Sequence, residues 1–191
     1  DIAELCSYAS LKGVKLILWI SADLLYNNLE QICEKYSTLG VAGFKVDFFD
    51  HQNQRTVGQV YSIADAAQRY HLVLDLHGIY KPTGITRTYP NILNMEGVYG
   101  LENSKWASAD KNDMPAYDVT IPFIRMACGP MDYTPGAMRN ANRRDFRAIN
   151  DRPMSQGTRA HQIAMYVVYD APLSMLCDSP SDYMDDPQTT E

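Results

Sequence analysis

The chain has 191 residues, of which 46% are apolar and 10% aromatic, enough for a packed core and too apolar for disorder. Lys and Arg total 17 against 23 Asp and Glu, a net charge of −6 with no basic run, which argues against a nucleic-acid partner. No apolar stretch approaches the roughly 18 residues that a membrane-spanning helix needs.

The chain opens Asp1-Ile-Ala-Glu without an initiator Met, so a processed or truncated start is expected. The opening residues read as a helix feeding the first apolar run, Val14–Ile20, which is rich in Leu and β-branched residues. Leu29, Ile32, Cys33, Tyr36 and Leu39 then recur at helical spacing, entered through Asn27-Asn28 and closed by Gly40. A second run, Gly43–Phe48, precedes a second helical stripe of Val57, Val60, Tyr61, Ala64 and Ala67. Leu72–Leu76 is the third run. Ile92–Met95 follows after too few residues for a full helix. Pro122–Met126 and Leu173–Cys177 read as two further strands, and Ala160, Ile163, Ala164, Val167 and Val168 as a third helical stripe. The polar stretches from Asn103 to Tyr117 and from Asp132 to Pro153 are long insertions of the kind that build sites. The four cysteines (Cys6, Cys33, Cys128, Cys177) are scattered, form no metal-binding spacing, and read as small buried hydrophobes.

Near-continuous apolar strands whose first three centres lie about 28 residues apart are the signature of βα units and a parallel sheet. No glycine-rich phosphate turn follows any strand, which disfavours a doubly wound nucleotide-binding sheet. The expected fold class is therefore α/β, a (β/α)8 TIM-type barrel that is incomplete, with about six of its eight strands within this chain.

Reactive groups of such barrels stand at the carboxyl ends of strands. Asp47, in Lys45-Val-Asp-Phe-Phe-Asp50, interrupts an apolar strand end; Lys45, two residues earlier on the same face, is an available partner. That pair fits a catalytic carboxylate and a barrel-stabilising ion pair equally well. His77 follows the third strand directly. Glu96 and Glu102 flank Gly97 and Gly100, whose freedom allows a tight path that brings both carboxylates toward one point, where a cation or a shared proton would relieve them. Asp75, Asp132 and Asp178 fit loop capping as well as chemistry. Trp19, Tyr99, Trp106 and Tyr133 fit sugar stacking as well as core packing. Paired carboxylates with aromatics at a barrel mouth point to glycoside hydrolysis. No G-x-S-x-G turn or HExxH motif offers a rival chemistry.

Four ordered motifs, Lys45–Asp50, His77-Gly-Ile-Tyr-Lys-Pro-Thr-Gly84, Glu96-Gly-Val-Tyr-Gly-Leu-Glu102 and Gly129-Pro-Met-Asp-Tyr-Thr-Pro-Gly136, together resemble glycoside hydrolase family 97. The segment from Gly157 through Ala171-Pro-Leu to Asp178-Ser-Pro180 is similar to the same family. The resemblance implies an α-glycosidase with an N-terminal β-sandwich, a central (β/α)8 barrel and a small C-terminal β domain. Residues 1–191 would be the central and C-terminal part of the barrel. Inverting members carry a glutamate base directly after the motif histidine, where this chain has Gly78, and lack an aspartate at the position of Asp47. The resemblance thus implies the retaining branch, α-galactosidase-like, with Asp47 as nucleophile and Glu102 as general acid/base. It further implies substrate contacts from Lys45, His77 and Trp19, and a calcium ion near Glu96 and Glu102 completed by residues outside the chain. A cation lowers the pKa of a carboxylate it binds, which sits uneasily with an acid role for Glu102. The implied partner is an α-linked oligosaccharide or α-galactoside, and the implied location periplasmic or outer-membrane-associated in a bacteroidetes-type bacterium. Two alternatives stay open at this point: an inverting α-glucosidase of the same family, and an inactive carbohydrate-binding or structural barrel fragment.

Overall fold

A computed structural model describes residues 1–108 and 112–190. The chain divides into two compact units, Asp1–Gly97 and Val98–Glu191.

The first unit is a run of βα repeats. Helix α1 (Ile2–Leu11) starts at a capping box: Asp1 accepts from the Glu4 N–H at 2.9 Å and the Glu4 side chain bonds back to the cap backbone. Strands β1 (Ile17–Ser21), β2 (Gly43–Asp47), β3 (Val73–Leu76) and β4 (Ile92–Met95) form one wholly parallel sheet in the order β1-β2-β3-β4. The short α2 (Ala22–Tyr26) and α3 (Leu29–Thr38) connect β1 to β2, and α4 (Gln54–Arg69) connects β2 to β3. Asn53 caps α4 by accepting from the Thr56 N–H at 3.0 Å. Between β3 and β4 there is only a 3-10 turn, Ile85–Arg87, as the short spacing requires.

Alternation along the strands separates two faces. Phe44, Leu74 and Ile92 form one apolar row in register, and Ile20, Val46, Leu76 and Met95 the next. Both rows pack with Val60, Ile63, Ala64 and Ala67 of α4 and with Leu25 and Cys33 in one core. The expected α4 stripe is centred about one residue off. Val60, Ala64 and Ala67 are buried, but Ile63 and Ala66 complete the buried face, while Val57 and Tyr61 are exposed. A register irregularity beside Leu74 and Asp75 skips Leu93, so that Asn94 rather than Leu93 stands opposite Asp75.

The second unit departs further from expectation. Pro122–Met126 is not a strand. It ends helix α5 (Met114–Arg125), which Asp113 caps by accepting from the Ala116 N–H at 3.2 Å and which runs into a 3-10 turn, Met126–Cys128. Pro122 has no N–H for the Asp118 carbonyl one turn back; the Tyr169 hydroxyl donates to that carbonyl instead, at 2.8 Å, and the helix continues. Leu173–Cys177 is irregular chain as well. Its backbone is taken up by other groups: the Tyr166 hydroxyl donates to Met175 O, and Cys177 N to Pro135 O. About six barrel strands were expected; among the described residues the main sheet has four, and two further strands, β5 (Asn140–Ala141) and β6 (Ser155–Gln156), form a separate two-residue parallel pair.

Helix α6 (Arg159–Val168) starts as expected after Gly157-Thr158, with Thr158 as its cap, but it buries Gln162 and Met165 and leaves Ile163, Val167 and Val168 exposed. Gln162 Oε1 explains the choice: it accepts from the N–H groups of both Gly136 and Ala137, at 3.0 and 3.1 Å, and so pins the preceding loop. Two short helices, α7 (Pro180–Met184) and α8 (Pro187–Thr190), close the chain. The core of this unit is Leu101, Met114, Met131, Tyr133, Ala137, Met165 and Tyr169. Among the described residues no helix is long and apolar enough to cross a membrane. All four cysteines are free thiols, with Cys6 and Cys33 buried.

Candidate functional site

The sheet face opposite the apolar rows is polar at its carboxyl end, and the register explains why. Trp19, Lys45, Asp75 and Asn94 stand side by side on β1 to β4. Two residues further along each strand come Ser21, Asp47, His77 and Glu96. Ser21 and Asp47 are register partners, and the ladder runs on past the strand ends through His77 N to Val46 O and Glu96 N to Leu76 O, each at 2.8 Å. Two polar layers are thus stacked at the carboxyl ends of the parallel strands.

The lower layer is built around a buried ion pair. Lys45 Nζ lies 2.9 Å from Asp75 Oδ2, with the Asp75 side chain wholly buried. The partner foreseen in the sequence was Asp47, two residues along the same strand; Asp75 comes to Lys45 as its direct neighbour across β2 and β3. Asn94 is buried beside Asp75 in register.

In the upper layer Asp47 is buried, with one donor on each carboxylate oxygen. The Trp19 indole N–H donates to Oδ2 at 3.1 Å and the Phe48 N–H to Oδ1 at 2.6 Å. Each oxygen retains lone-pair capacity for a bond to carbon. Phe48 adopts φ +62, a costly conformation for a bulky residue, and it projects its ring into solvent, edge-on to Trp19 at 5.6 Å. Gly78, at φ +57, comes so near that a Cβ there would stand 2.9 Å from Asp47 Oδ1 and from Phe48 N. The Gly78 N–H donates to Glu96 Oε2 at 2.7 Å, and His77 Nε2 stands 3.6 Å from Glu96 Oε1. Trp19, Lys45, Asp47, His77 and Glu96 are therefore brought together on one sheet end.

Glu102 belongs to the second unit. It is exposed, on the 3-10 turn Leu101–Lys105, next to Leu101, whose N–H donates to Tyr133 O at 3.2 Å. Tyr133 is in turn fixed from below: its hydroxyl donates to the buried Asp118, whose other oxygen lies 3.0 Å from His161 Nε2. Burial raises the Asp118 carboxyl above its ordinary range against the opposing effect of these two partners, and raises the Tyr133 phenol as well. Sequence reading missed this support. The single signal for it was Asp118 as an acidic residue among apolar helix positions. It also missed Asp75 and Asn94 as the floor of the polar layers, although the polar-apolar-polar ending shared by Trp19–Ser21, Lys45–Asp47, Asp75–His77 and Asn94–Glu96 carries that information.

Of the remaining expectations, Tyr133 is core, Asp178 caps a loop by accepting from Met138 N at 2.7 Å, and Trp106 is exposed. Residues 109–111 of the polar insertion after Asn103 lie outside the described residues.

The family model for glycoside hydrolase 97 matches residues 1–98. The chain is 50% identical over 190 residues to a protein of Bacteroides thetaiotaomicron named retaining alpha-galactosidase, a match over 100% of this chain and 28% of that protein. It is 33% identical over 184 residues to a probable retaining alpha-galactosidase of Streptomyces bingchenggensis, over 95% of this chain and 26% of that protein. The chain thus spans about a quarter of the length of these curated relatives. Among solved structures, a family 97 enzyme from Pseudoalteromonas sp. strain K8 in complex with acarbose superposes with a TM-score of 0.82 at 27% identity, covering 99% of this chain and 31% of that one. A beta-arabinopyranosidase superposes with a TM-score of 0.82 at 26% identity, covering 98% and 32%.

Proposed function

The chain belongs to glycoside hydrolase family 97, and from that membership we propose that the polypeptide carrying it is a retaining α-glycosidase acting on α-galactosides. The observation that carries this reading is the Asp47 carboxylate at the end of β2, with a glycine at position 78 leaving it room. A side chain at 78, where an inverting enzyme would need its base, would collide with Asp47; the aspartate and the glycine are one choice. The 50% identity to a retaining alpha-galactosidase supports the same branch.

In the proposed reaction Asp47 attacks the anomeric carbon as the glycosidic bond breaks, and Glu102 gives its proton to the departing oxygen. Water then attacks the glycosyl-aspartate ester. Its proton goes to Glu102, the bonding pair returns to Asp47, and the sugar leaves with its original configuration. Retention asks for about 5–5.5 Å between the two carboxyl groups, against about 6.5–9.5 Å for inversion. Lys45 and His77 would meet the sugar's hydroxyls, and the ring of Trp19 its face.

The four strands in unbroken sequential order support a (β/α)8 barrel over a doubly wound sheet, whose strand order reverses at a switch point. In this reading the missing strands and the flanking β domains belong to the rest of the same polypeptide, consistent with relatives about four times longer. Calcium is proposed as a cofactor: carboxylates suit a hard cation, and Glu96 and Glu102 would hold it. Calcium takes six to eight oxygens, so other chain segments would complete its shell. When bound it would supply positive charge beside these acids. A periplasmic or outer-membrane-associated location is proposed on kinship to the Bacteroides protein, and cell fractionation tests it.

The function is tested by Asp47→Ala in the full polypeptide. Turnover of an aryl α-galactoside should vanish, azide should restore product of inverted configuration, and proton NMR of the wild-type reaction should show the α-anomer first. Full activity in the variant, or a β-anomer first, refutes the mechanism. Titration calorimetry with calcium on wild type and Glu96→Gln tests the cofactor, with weaker binding expected in the variant.

A further inference from the structure

We infer that Trp19 is a positioning residue, whose indole N–H holds the Asp47 carboxylate in the rotation from which it attacks; this rests on the role proposed for Asp47 above. The side chain of Asp has one broad, soft terminal torsion, so a nucleophilic carboxylate at the end of a strand is not fixed by its own covalent geometry. Here that torsion is held at both ends, by Trp19 Nε1 on Oδ2 at 3.1 Å and by the Phe48 N–H on Oδ1 at 2.6 Å. Rotation breaks one bond or both.

The Trp19 bond is not a by-product of burial. A buried indole must find an acceptor, but Trp19 is 55% exposed and water would satisfy it. The indole nevertheless lies along the sheet end, reaching from the register row of Lys45 to the Asp47 carboxylate one row on. Phe48, in its left-handed conformation, sets its ring edge-on to the indole at 5.6 Å and 77°, bracing it in that pose. Backing comes from the other side, where the absent Cβ of Gly78 leaves Oδ1 only just enough space. The carboxylate therefore meets the anomeric carbon without first being oriented, and on hydrolysis of the ester the returning negative charge finds its donors already in place.

This role differs from a sugar-stacking platform, and the two are separable. Trp19→Phe keeps an aromatic face and deletes the N–H. 3-Benzothienylalanine at position 19 keeps the full ring outline with sulfur in place of N–H. In the full polypeptide both should lower kcat for an aryl α-galactoside about 10- to 100-fold, the worth of a hydrogen bond to a charged group, with KM within about threefold. In a background of Asp47→Ala, adding Trp19→Phe should leave the affinity for galactose unchanged within about twofold.

A kcat within twofold of wild type in the benzothienyl variant overturns the inference. So does a tenfold loss of galactose affinity on adding Trp19→Phe to Asp47→Ala, which would show that the indole N–H serves the sugar and not Asp47. Since the benzothienyl side chain fills the same space, a folding defect confined to Trp19→Phe leaves that first measurement decisive. Undiminished activity in Asp47→Ala alone is a different result: it removes the proposed nucleophile, and the inference with it.

Discussion

Placing a methyl group at position 78 probes the space around Asp47 directly. Gly78 sits at φ +57, and a Cβ there would lie 2.9 Å from Asp47 Oδ1 and 2.9 Å from Phe48 N. Neither neighbour yields easily: one is backbone, the other a carboxylate tied by two hydrogen bonds. Gly78→Ala therefore carries two costs, about 1–2 kcal/mol for a left-handed alanine and about 1–3 kcal/mol for overpacking. Gly13 supplies the control, with φ +69 and nothing within 4 Å of its would-be Cβ. Gly13→Ala should lose only the first, about 1–2 kcal/mol in urea unfolding, and Gly78→Ala about 2–5 kcal/mol with an unchanged slope. In activity they should separate further. Displacing the Asp47 carboxylate by a fraction of an ångström should lower kcat on an aryl α-galactoside about 10- to 100-fold, while Gly13→Ala stays within about twofold. Equal destabilisation of the two variants together with an unaltered kcat in Gly78→Ala would refute the claim that the vacant volume at 78 serves the carboxylate.

The Lys45–Asp75 pair, with one side chain wholly buried, should respond asymmetrically. Lys45→Met alone removes the cation beside a buried carboxylate and should cost about 3–5 kcal/mol in chemical denaturation, while Lys45→Met with Asp75→Leu should recover most of it. No recovery would mean that the pair does not act as a unit. Asp118 gives a pH prediction. Burial raises its carboxyl pKa above the ordinary 3.8, so the folded state keeps this proton to higher pH than the unfolded chain does. Its stabilising contribution is full below that ordinary value and is lost as pH rises through the raised one. Asp118→Asn should flatten melting temperature against pH above the ordinary value of 3.8, and an unchanged slope would overturn this. Burial also pushes the Cys33 thiol up to about 11 and the Cys177 thiol up to about 12. At about pH 8 iodoacetamide should label neither in the native protein and both after unfolding, since the thiolate is the reactive form. Native labelling at the rate of free cysteine would contradict the burial.

The sheet was legible in the sequence because its strands are apolar on the helix-covered face over their whole length, and because the helical stripe before β2 is entered through Asn27-Asn28 and closed by Gly40. The later half was harder for a physical reason. Pro122-Phe-Ile-Arg-Met126 is too short for its period to distinguish strand from helix, and the helix signals, Asp113 and Pro115, lie well upstream. Periodicity likewise chose the wrong face of α6, because a polar residue, Gln162, is what the fold buries there. In the polar layers, Asp47, His77 and Glu96 stood out as ionisable groups at strand ends. The Asp75 partner of Lys45 and the Trp19 bond to Asp47 depend on which residues fall side by side across strands, and no single strand contains that information.

The bond from the Tyr169 hydroxyl to the Asp118 carbonyl has a consequence for timing. In an unbroken helix that carbonyl would be satisfied four residues later, almost as soon as the chain left the ribosome. With proline at 122 it waits for a side chain 51 residues further on. What is ordinarily the most local of bonds has become a distant one, and α5 cannot finish its own ladder until the chain beyond α6 has been synthesised and folded back.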